Sequence, residues 1–264
     1  MASAEPRPTA AVSTYGRAVV RGARKVFLVH GAGMDQSIWT LQGRFLAFHG
    51  WNAFAVDLPG HGRVRNQSPL ESIEAIADWL AELVASTGPE PAVVIGHSMG
   101  ALAALDLAAR HPGRVERLVL LGAAAQMPVH PELLALARDG DPRAVDLICD
   151  WGFGSRAHLG GSALPGAWLL GSARTLLLRG DPRVLAADLA ACHGYRAGEE
   201  RATRVGCPAL VMIGAEDRMT PPRAGTRLAG LLAHGSSVVL DGVGHMMMVE
   251  DPEATLAALK RFLA

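Results

Sequence analysis

Short apolar runs alternate along the chain with longer segments in which apolar residues recur at helical spacing. Apolar runs of about four to eight residues, bounded by turn residues, are typical of buried strands in a parallel sheet. Six such runs predict the core strands Val26–Val29, Ala53–Val56, Ala92–Ile95, Leu118–Leu121, Ala209–Ile213 and Ser237–Leu240. Because helices connect consecutive parallel strands and cover both faces of the sheet, the pattern predicts an α/β fold, a mostly parallel central sheet flanked by helices.

Two of the predicted helices have recognisable start signals. The segment Ser68–Glu71 has a capping serine, a first-turn proline and a capping-box glutamate, which predicts a helix from there to about Ser86. Asp251 and Pro252 similarly predict the start of the last helix, which runs to the end of the chain.

The alternation of strands and helices is interrupted between Gln126 and Val205. This segment has no convincing strand, and a Gly-rich stretch from Gly152 to Gly171 separates its helical patterns. Those patterns are Pro131–Arg138, Pro142–Trp151, Leu169–Arg179 and Pro182–His193. We expect an inserted helical cap at residues 126–205, over one end of a core domain formed by residues 1–125 and 206–264. Extra helical packing on the flank of the sheet is the alternative.

The strand Ala92–Ile95 leads into Gly96-His97-Ser98-Met99-Gly100 and then into a helical pattern. A serine on such a sharp strand-to-helix turn is forced into a strained conformation, and its Oγ projects above the sheet. The two glycines fit this interpretation, since the turn leaves no room for a Cβ two residues before and two after the serine. The motif predicts that Ser98 is a nucleophile.

A serine nucleophile needs a base, and the base needs an orienting acid. His245 follows the strand Ser237–Leu240 through a loop at the strand's carboxyl end, where catalytic groups of open α/β sheets gather. Asp217 follows the strand Ala209–Ile213 in the same way and is preferred to Glu216 as the acid. The order Ser98, Asp217, His245 is that of α/β-hydrolases. His97 adjoins the serine but points elsewhere and is interpreted as structural.

A tetrahedral intermediate also needs hydrogen-bond donors for its oxyanion. The N–H of Met99, directly after the nucleophile, is one candidate. The second donor is expected from the loop His30–Gly33, with Ala32 as the first choice and Gly33 as the second.

Several segments resemble, in the right order, the signature blocks of the α/β-hydrolase family. They are VFLVHGAG, AVDLPGHG, VIGHSMG, VMIGAEDRMTPP and DGVGHMMMVEDP, from about Val26 to Pro252. The resemblance implies a serine hydrolase of the esterase or lipase kind, an oxyanion N–H from Ala32, and a helical cap that shapes the pocket. The segment before Val26 is short for two full leading strands, so we expect an abbreviated sheet edge.

Within that family, the residue types at the nucleophile position and in the predicted cap limit the reactions to be expected. A serine rather than an aspartate at position 98 disfavours dehalogenase and epoxide hydrolase chemistry, and the cap has no lysine of the kind that hydroxynitrile lyases use. Cleavage of an ester, thioester or lactone through an acyl-enzyme is expected. A triad-bearing ligand receptor, an acyl transferase or perhydrolase, and a C–C bond hydrolase stay open as alternatives.

Apolar residues near the predicted catalytic loops indicate a hydrophobic acyl site. Methionines are pliable and apolar, and those in these segments either line a pocket or fill the core beneath the loops. The candidate substrate-binding residues are Gly31, Gly33, Met34, His97, Met127, Trp151, Phe153, Trp168, Met219 and Met246. A small-to-medium hydrophobic ester or lactone is the expected substrate.

Composition excludes several other classes of function. Half of the residues are hydrophobic, and 25 basic side chains balance 25 acidic ones, so no net charge favours nucleic acid or an anionic membrane. There is no HExxH motif and no Cys/His cluster with zinc-ligand spacing, so no metal or other cofactor is expected. Cys149, Cys192 and Cys207 suggest reduced thiols, and without a signal peptide we expect a cytoplasmic protein. The sequence leaves open whether it is a monomer or a homodimer.

Overall fold

The computed structural model describes residues 11–163 and 166–264. Within these ranges seven strands form one sheet: β1 (Val12–Ser13), β2 (Lys25–Val29), β3 (Asn52–Val56), β4 (Ala92–His97), β5 (Val115–Leu121), β6 (Ala209–Gly214) and β7 (Gly235–Leu240). Each predicted core strand is present and is extended by one to three residues at an end. The added strand, β1, has two residues, so the sheet's first edge is abbreviated as expected.

The strands lie in the order β1-β3-β2-β4-β5-β6-β7. Only β1, which pairs with β3, is antiparallel; the other neighbours are parallel. The mostly parallel sheet predicted from the sequence is therefore confirmed. After β3 the chain crosses to the other side of β2, and this reversal opens a crevice beyond the carboxyl ends of β2 and β4, where ligands of open α/β sheets bind.

Both faces of the central strands β2 to β6 are largely buried, which explains why these strands read as continuous apolar runs. Alternate residues of β2 show the pattern: Phe27 and Val29 face one apolar core, while Val26 and Leu28 face the other. Phe27 stacks on Phe54 of the neighbouring strand with ring centroids 4.8 Å apart. These rigid strands hold the loops at their carboxyl ends.

Twelve α-helices lie within the described ranges. They are α1 (Thr40–Phe48), α2 (Ile73–Ser86), α3 (Met99–Arg110), α4 (Pro131–Arg138), α5 (Arg143–Gly152), α6 (Ser155–His158), α7 (Leu169–Arg179), α8 (Pro182–Gly194), α9 (Gly198–Arg204), α10 (Pro222–Leu231), α11 (Met247–Glu250) and α12 (Pro252–Leu263). None of these helices is long and apolar enough to cross a membrane.

The start predicted for α2 was wrong. The helix begins at Ile73, and its capping residue is Ser72, whose side chain accepts a hydrogen bond from the Ala75 N–H at 3.1 Å. The reason lies in burial, because the apolar stripe that faces the core starts only at Ile73. The start of α12 is as predicted, with the Asp251 carboxylate accepting from the Ala254 N–H.

Six helices, α4 to α9, lie between β5 and β6 in the sequence. The four helical patterns predicted there occur with shifts of at most one residue at either end, and α6 and α9 were not predicted. Helices α4, α5, α7 and α8 contribute a hydrophobic cluster that is continuous with Met246–Met248. Helix α9 packs instead against α3 on the flank of the sheet.

Candidate active site

Ser98 lies between β4 and α3 with a backbone φ of 53° and ψ of −116°. Such a positive φ is strained for a residue with a side chain, and strain of this kind persists only where the surroundings enforce it. The two flanking glycines enforce it here. A Cβ on Gly96 would overlap the Gly100 carbonyl, and one on Gly100 would overlap the His30 carbonyl at the end of β2. The sharp turn predicted from the motif is present.

His245 and Asp217 form a buried pair at the carboxyl ends of β7 and β6. The Nδ1 of His245 lies 2.7 Å from the Oδ2 of Asp217, and the residues are 1% and 4% exposed. A carboxylate only accepts hydrogen bonds, so Nδ1 carries the proton that it donates. The Nε2 of His245 is buried and has no hydrogen-bond partner among the described residues. That nitrogen is therefore available as a proton acceptor.

The surroundings of Asp217 favour its charged form. Burial alone would raise its pKa, but the interaction with His245 and the hydrogen bonds of Thr220 outweigh burial, and the pKa of Asp217 is lowered. Its Oδ1 accepts from the N–H groups of Met219 and Thr220 at 2.9 and 2.8 Å. The hydroxyl of Thr220 donates to Oδ2 at 2.6 Å.

Glu216, the alternative acid, has a different partner. Its Oε2 accepts from the Ser155 N–H at 2.6 Å, where α6 begins, whereas the hydrogen-bonded acid of His245 among the described residues is Asp217. Of the two acids considered from the sequence, Asp217 is the one in contact with the histidine.

The backbone around His245 is fixed by Glu250 and by the end of α5. The Glu250 carboxylate accepts from the N–H groups of Gly244, Met246 and Gly154 at 3.1, 3.2 and 2.8 Å. The His245 N–H donates to the carbonyl of Gly152 at 2.9 Å. The helices inserted after β5 therefore contact the histidine loop directly.

His97 also supports that loop. Its Nε2 lies 3.1 Å from the His245 carbonyl, which only accepts, so Nε2 is the protonated nitrogen. Burial, followed by the proximity of His245, holds the pKa of His97 well below its ordinary value, so the ring is neutral. The structural role expected for His97 agrees with this contact, although the ring also faces the cavity described below.

A tight turn at the end of β2 faces Ser98. The Met34 N–H donates to the Gly31 carbonyl at 3.2 Å, and Gly33 has a φ of +67°, as the third position of such a turn often requires. A Cβ on Gly31 would lie 3.2 Å from the Cβ of Ser98, so the turn passes close to the serine. The Gly33 N–H is occupied by the carboxylate of Asp188 at 2.8 Å. Of the two candidate oxyanion donors in this turn, Ala32 is the one whose N–H has no hydrogen-bond acceptor among the described residues.

Ser98 and His245 line the same cavity of about 380 Å³. Seven of the ten predicted substrate-binding residues line it, and they are Gly31, Met34, His97, Met127, Trp151, Met219 and Met246; Ala32 lines it too. The sequence did not point to the other wall residues, which are Pro128, Val129, His130, Leu133, Ile148, Leu189, Cys192 and Arg218. Leu133, Ile148 and Leu189 lie on apolar stripes of predicted helices, and those stripes were the available signal.

Three predicted substrate-binding residues lie elsewhere. Trp168 is 72% exposed at the start of α7, and its ring covers Gly171 of the same helix. Phe153 is only 2% exposed because it packs within the hydrophobic cluster between the inserted helices and the histidine loop. Gly33 faces α8 and a second cavity instead. For all three, the sequence pattern could not distinguish surface or core from cavity wall.

The cysteine side chains at and near the cavity are neutral thiols. The cavity wall carries one thiol, Cys192, and burial raises the pKa of this group and raises that of Cys149 to about 11, so both are protonated. Cys149, Cys192 and Cys207 are free thiols, as expected from the sequence. Across residues 11–163 and 166–264, no cluster of three or more His, Cys, Asp or Glu side chains is arranged to hold a metal ion.

Comparison with known proteins identifies the family of this chain. A sequence model described as the alpha/beta hydrolase family matches residues 26–259, and the chain belongs to that family. It is an enzyme of the hydrolase class, as its relatives are.

The chain is 32% identical to the pimeloyl-[acyl-carrier protein] methyl ester esterase of Neisseria meningitidis serogroup C, over 91% of this chain and 93% of that protein. Among solved structures it is similar to a thermophilic esterase, with 31% identity, a TM-score of 0.76 and coverage of 92% and 90% of the two chains. It is also similar to the enol-lactonase of Burkholderia xenovorans LB400, with 25% identity, a TM-score of 0.82 and 92% coverage of both chains.

Proposed function

We propose that this protein hydrolyses carboxylic esters through an acyl-enzyme, with Ser98 as nucleophile, His245 as general base and Asp217 as the orienting acid. One observation carries the proposal: the buried Nε2 of His245 has no hydrogen-bond partner among the described residues, and His245 lines the same cavity as the strained Ser98, while its Nδ1 is held by Asp217. A free basic nitrogen beside a serine hydroxyl is what nucleophilic catalysis requires.

The reaction proceeds in two halves. The Ser98 Oγ attacks the ester carbonyl while His245 Nε2 takes the hydroxyl proton, and a tetrahedral oxyanion forms. Collapse breaks the bond to the alkoxy group, which leaves as the alcohol with the proton from Nε2. Water then attacks the acyl-serine, gives its proton to Nε2 and, after a second collapse, the carboxylic acid leaves and Ser98 regains its proton.

The oxyanion is stabilised by the N–H groups of Met99 and Ala32. Met99 is the first residue of α3, so its N–H has no partner within the helix and lies at the positive end of the helix dipole. The turn that contains Ala32 passes close to Ser98, and the N–H of its neighbour Gly33 is already bound to Asp188. Preorganised donors of this kind contribute about 10²- to 10³-fold each to the rate.

The substrate is an ester with a small-to-medium hydrophobic acyl group. Methionine and aliphatic side chains supply much of the cavity wall, and its polar groups besides the catalytic ones are few, chiefly His97, His130 and Arg218. The relatives act on a methyl ester of an acyl chain and on an enol-lactone, according to their names, and a lactone is an internal ester open to the same chemistry.

The helices inserted between β5 and β6 form the cap of this site. Residues from α4, α5 and α8 supply part of the cavity wall, including Leu133, Trp151 and Leu189. We assign residues 126–205 to this cap and the remainder of the chain to the core domain, with α9 as the segment that packs back onto the core.

The test is covalent labelling combined with turnover. A fluorophosphonate probe should label Ser98 rapidly, and Ser98→Ala should abolish labelling and hydrolysis of p-nitrophenyl esters, while Ser86→Ala at the end of α2 changes neither. Peptide mass spectrometry locates the adduct, and a panel of esters of rising chain length with simple lactones measures turnover. An adduct on another serine contradicts the assignment of Ser98, and a single slow acylation without turnover favours a ligand receptor.

A further inference from the structure

Helix α8 has a buried carboxylate in its apolar stripe. Asp188 is 1% exposed, and the buried Leu185 and Cys192, three residues before it and four residues after it, share its face of the helix. Burying a carboxylate in apolar surroundings is costly unless it is hydrogen-bonded or paired with a charge. The partners of Asp188 therefore indicate why an acid is present at this position.

Both partners belong to loops at the carboxyl ends of core strands. The Oδ2 of Asp188 accepts from the Gly33 N–H at 2.8 Å, in the turn after β2, and lies 2.9 Å from the Nε2 of His61, after β3. His61 is also buried, at 5% exposure. One carboxylate oxygen of an inserted helix thus joins two loops of the core.

The surroundings of His61 determine its protonation state. Its Nδ1 lies 3.1 Å from the Pro59 carbonyl and 3.3 Å from the Leu58 carbonyl, and its Nε2 faces the Asp188 carboxylate. Carbonyls and carboxylates only accept hydrogen bonds, so both ring nitrogens must donate. Burial lowers the pKa of His61, but the hydrogen bond and charge of Asp188 outweigh it and the pKa is raised. His61 is an imidazolium paired with Asp188.

A second histidine holds the other end of the turn. The Nε2 of His30 accepts from the Leu58 N–H at 3.1 Å, so Nδ1 carries the proton and donates to the Gly31 carbonyl at 2.8 Å. The His30 ring lies 4.7 Å from that of His61, and burial, followed by the charge of His61, holds its pKa well below the ordinary value. The turn is therefore held at Gly31 by a neutral histidine and at Gly33 by an ion pair.

We infer that Asp188, paired with protonated His61, is a positioning residue that fixes the turn Gly31–Gly33 and so orients the Ala32 N–H toward the oxyanion. The inference rests on the proposed function. Peptide units are planar, so binding the Gly33 N–H fixes the peptide that follows Ala32, and the bond of His30 to the Gly31 carbonyl fixes the peptide that precedes it. The Ala32 N–H belongs to that preceding peptide, so His30 holds it directly, and Asp188 of α8 holds it indirectly by fixing the other end of the same turn.

The test removes the carboxylate without emptying its volume. Asp188→Leu continues the apolar stripe of α8 but cannot accept from Gly33, whereas Asp188→Asn keeps an oxygen acceptor. We expect Asp188→Leu to lower kcat by about 10- to 100-fold with little change in KM, since a small displacement of a catalytic group costs up to about 10². Its affinity for a trifluoromethyl ketone, which forms a tetrahedral oxyanion, should fall in parallel. Asp188→Asn should retain most of both.

Asp106→Asn is the matched control. Asp106 is also a fully buried acid, and it joins α3 to Tyr195 and Arg201 without touching the turn. This variant should lose thermal stability without the selective loss of kcat and inhibitor affinity. A loss of kcat in Asp106→Asn equal to that in Asp188→Leu would reduce Asp188 to a structural role and overturn the inference.

Ring spectra provide a readout that does not depend on activity or on the folding of a variant. Long-range ¹H–¹⁵N spectra of the wild-type protein should show both nitrogens of His61 protonated at neutral pH, and a neutral ring overturns the ion pair. If the wild type hydrolyses esters and folded Asp188→Leu keeps its kcat, the inference fails while the proposed function stands. If the wild type is neither labelled at Ser98 nor active, the proposed function fails.

Discussion

Two buried histidine–carboxylate pairs lie at the same end of the sheet. They differ in whether the second nitrogen of the histidine ring has a hydrogen-bond partner. In the pair His245–Asp217, Nδ1 is bound at 2.7 Å and Nε2 has no partner among the described residues. In the pair His61–Asp188, Nε2 is bound at 2.9 Å and Nδ1 faces two backbone carbonyls. The bond lengths and burial are similar, yet only the first ring has a nitrogen left for chemistry.

The difference shows that a close histidine–carboxylate contact does not by itself identify a catalytic base. The carboxylate orients either ring, but a ring whose nitrogens both donate has no lone pair to accept a proton. His245 also lines the cavity with Ser98, whereas His61 lines the second cavity, on the far side of the turn Gly31–Gly33. The unoccupied nitrogen, together with the nearby serine, separates a proposed catalytic pair from a proposed positioning pair.

The largest expected difference in kcat is between variants of the two histidines, His245 and His61. His245→Ala should lower kcat for ester hydrolysis by about 10³-fold or more with the fold intact, because it removes the base on which the nucleophile depends. His61→Gln should lower kcat by about 10-fold at most, since it disturbs only the positioning of the turn. Steady-state kinetics with one p-nitrophenyl ester measure both. Equal losses in the two variants would remove the distinction between the pairs.

A smaller effect is expected from the acids beside His245. Asp217→Asn should lower kcat by about 10² to 10⁴, because the amide cannot hold the ring in the reactive tautomer. Glu216→Gln is the matched control on the adjacent residue, and it should be close to wild type because the Glu216 carboxylate accepts from the Ser155 N–H at the start of α6. A nearly silent Asp217→Asn combined with a damaging Glu216→Gln would reverse the assignment of the acid.

Two tryptophans of the inserted helices provide the next comparison. Trp151 lines the cavity and packs edge-on against His130 with ring centroids 5.4 Å apart, whereas Trp168 is exposed. Trp151→Ala should shift the preferred acyl chain length by about 10- to 200-fold in relative kcat/KM, the usual range for a contact in a hydrophobic pocket. Trp168→Ala should leave the profile unchanged. The reverse result would show that the exposed ring contacts substrate.

Sequence patterns predicted most of the sheet because the central strands β2 to β6 are largely buried on both faces and read as apolar runs. The turn at Ser98 was equally predictable, since the spacing of Gly96 and Gly100 around the serine is a local sequence motif. The pair His61–Asp188 could not be predicted in this way, because its members are far apart in sequence and each looks ordinary locally. An acid on an apolar stripe, as at Asp188, was the one available signal.

Near the active site, too, the sequence allowed some residues to be predicted and not others. Thr220 lies three residues after Asp217, a spacing at which a side chain can hydrogen-bond back to the aspartate across a turn. This spacing was visible in the sequence, but Thr220 was not predicted to contact Asp217. Which aromatic residues of the inserted helices face the cavity depends on how those helices pack, so Phe153 and Trp168 were indistinguishable from Trp151 in the sequence. The roles of Ser98, His245, Asp217, Met99 and Ala32 stay predictions.

The smallest expected effect concerns pH and stability, and it compares wild type with His61→Gln, which keeps an N–H donor for Asp188 but no charge. The pKa of His61 is raised in the folded state, so the ion pair contributes stability that is fully present below the unfolded value of about 6.5 and is lost as pH rises through the folded pKa. Each unit by which the folded pKa of His61 exceeds its unfolded pKa contributes up to about 1.4 kcal/mol to the free energy of unfolding.

Two other buried histidines, His30 and His97, have lowered pKa values and affect the free energy of unfolding in the opposite direction. Burial is the main cause in both, and it is common to wild type and His61→Gln. Urea unfolding from pH 5.5 to 9 should therefore give a difference in unfolding free energy, wild type minus variant, that falls as pH rises. A difference that is flat or rises with pH would show that His61 is neutral in the folded protein.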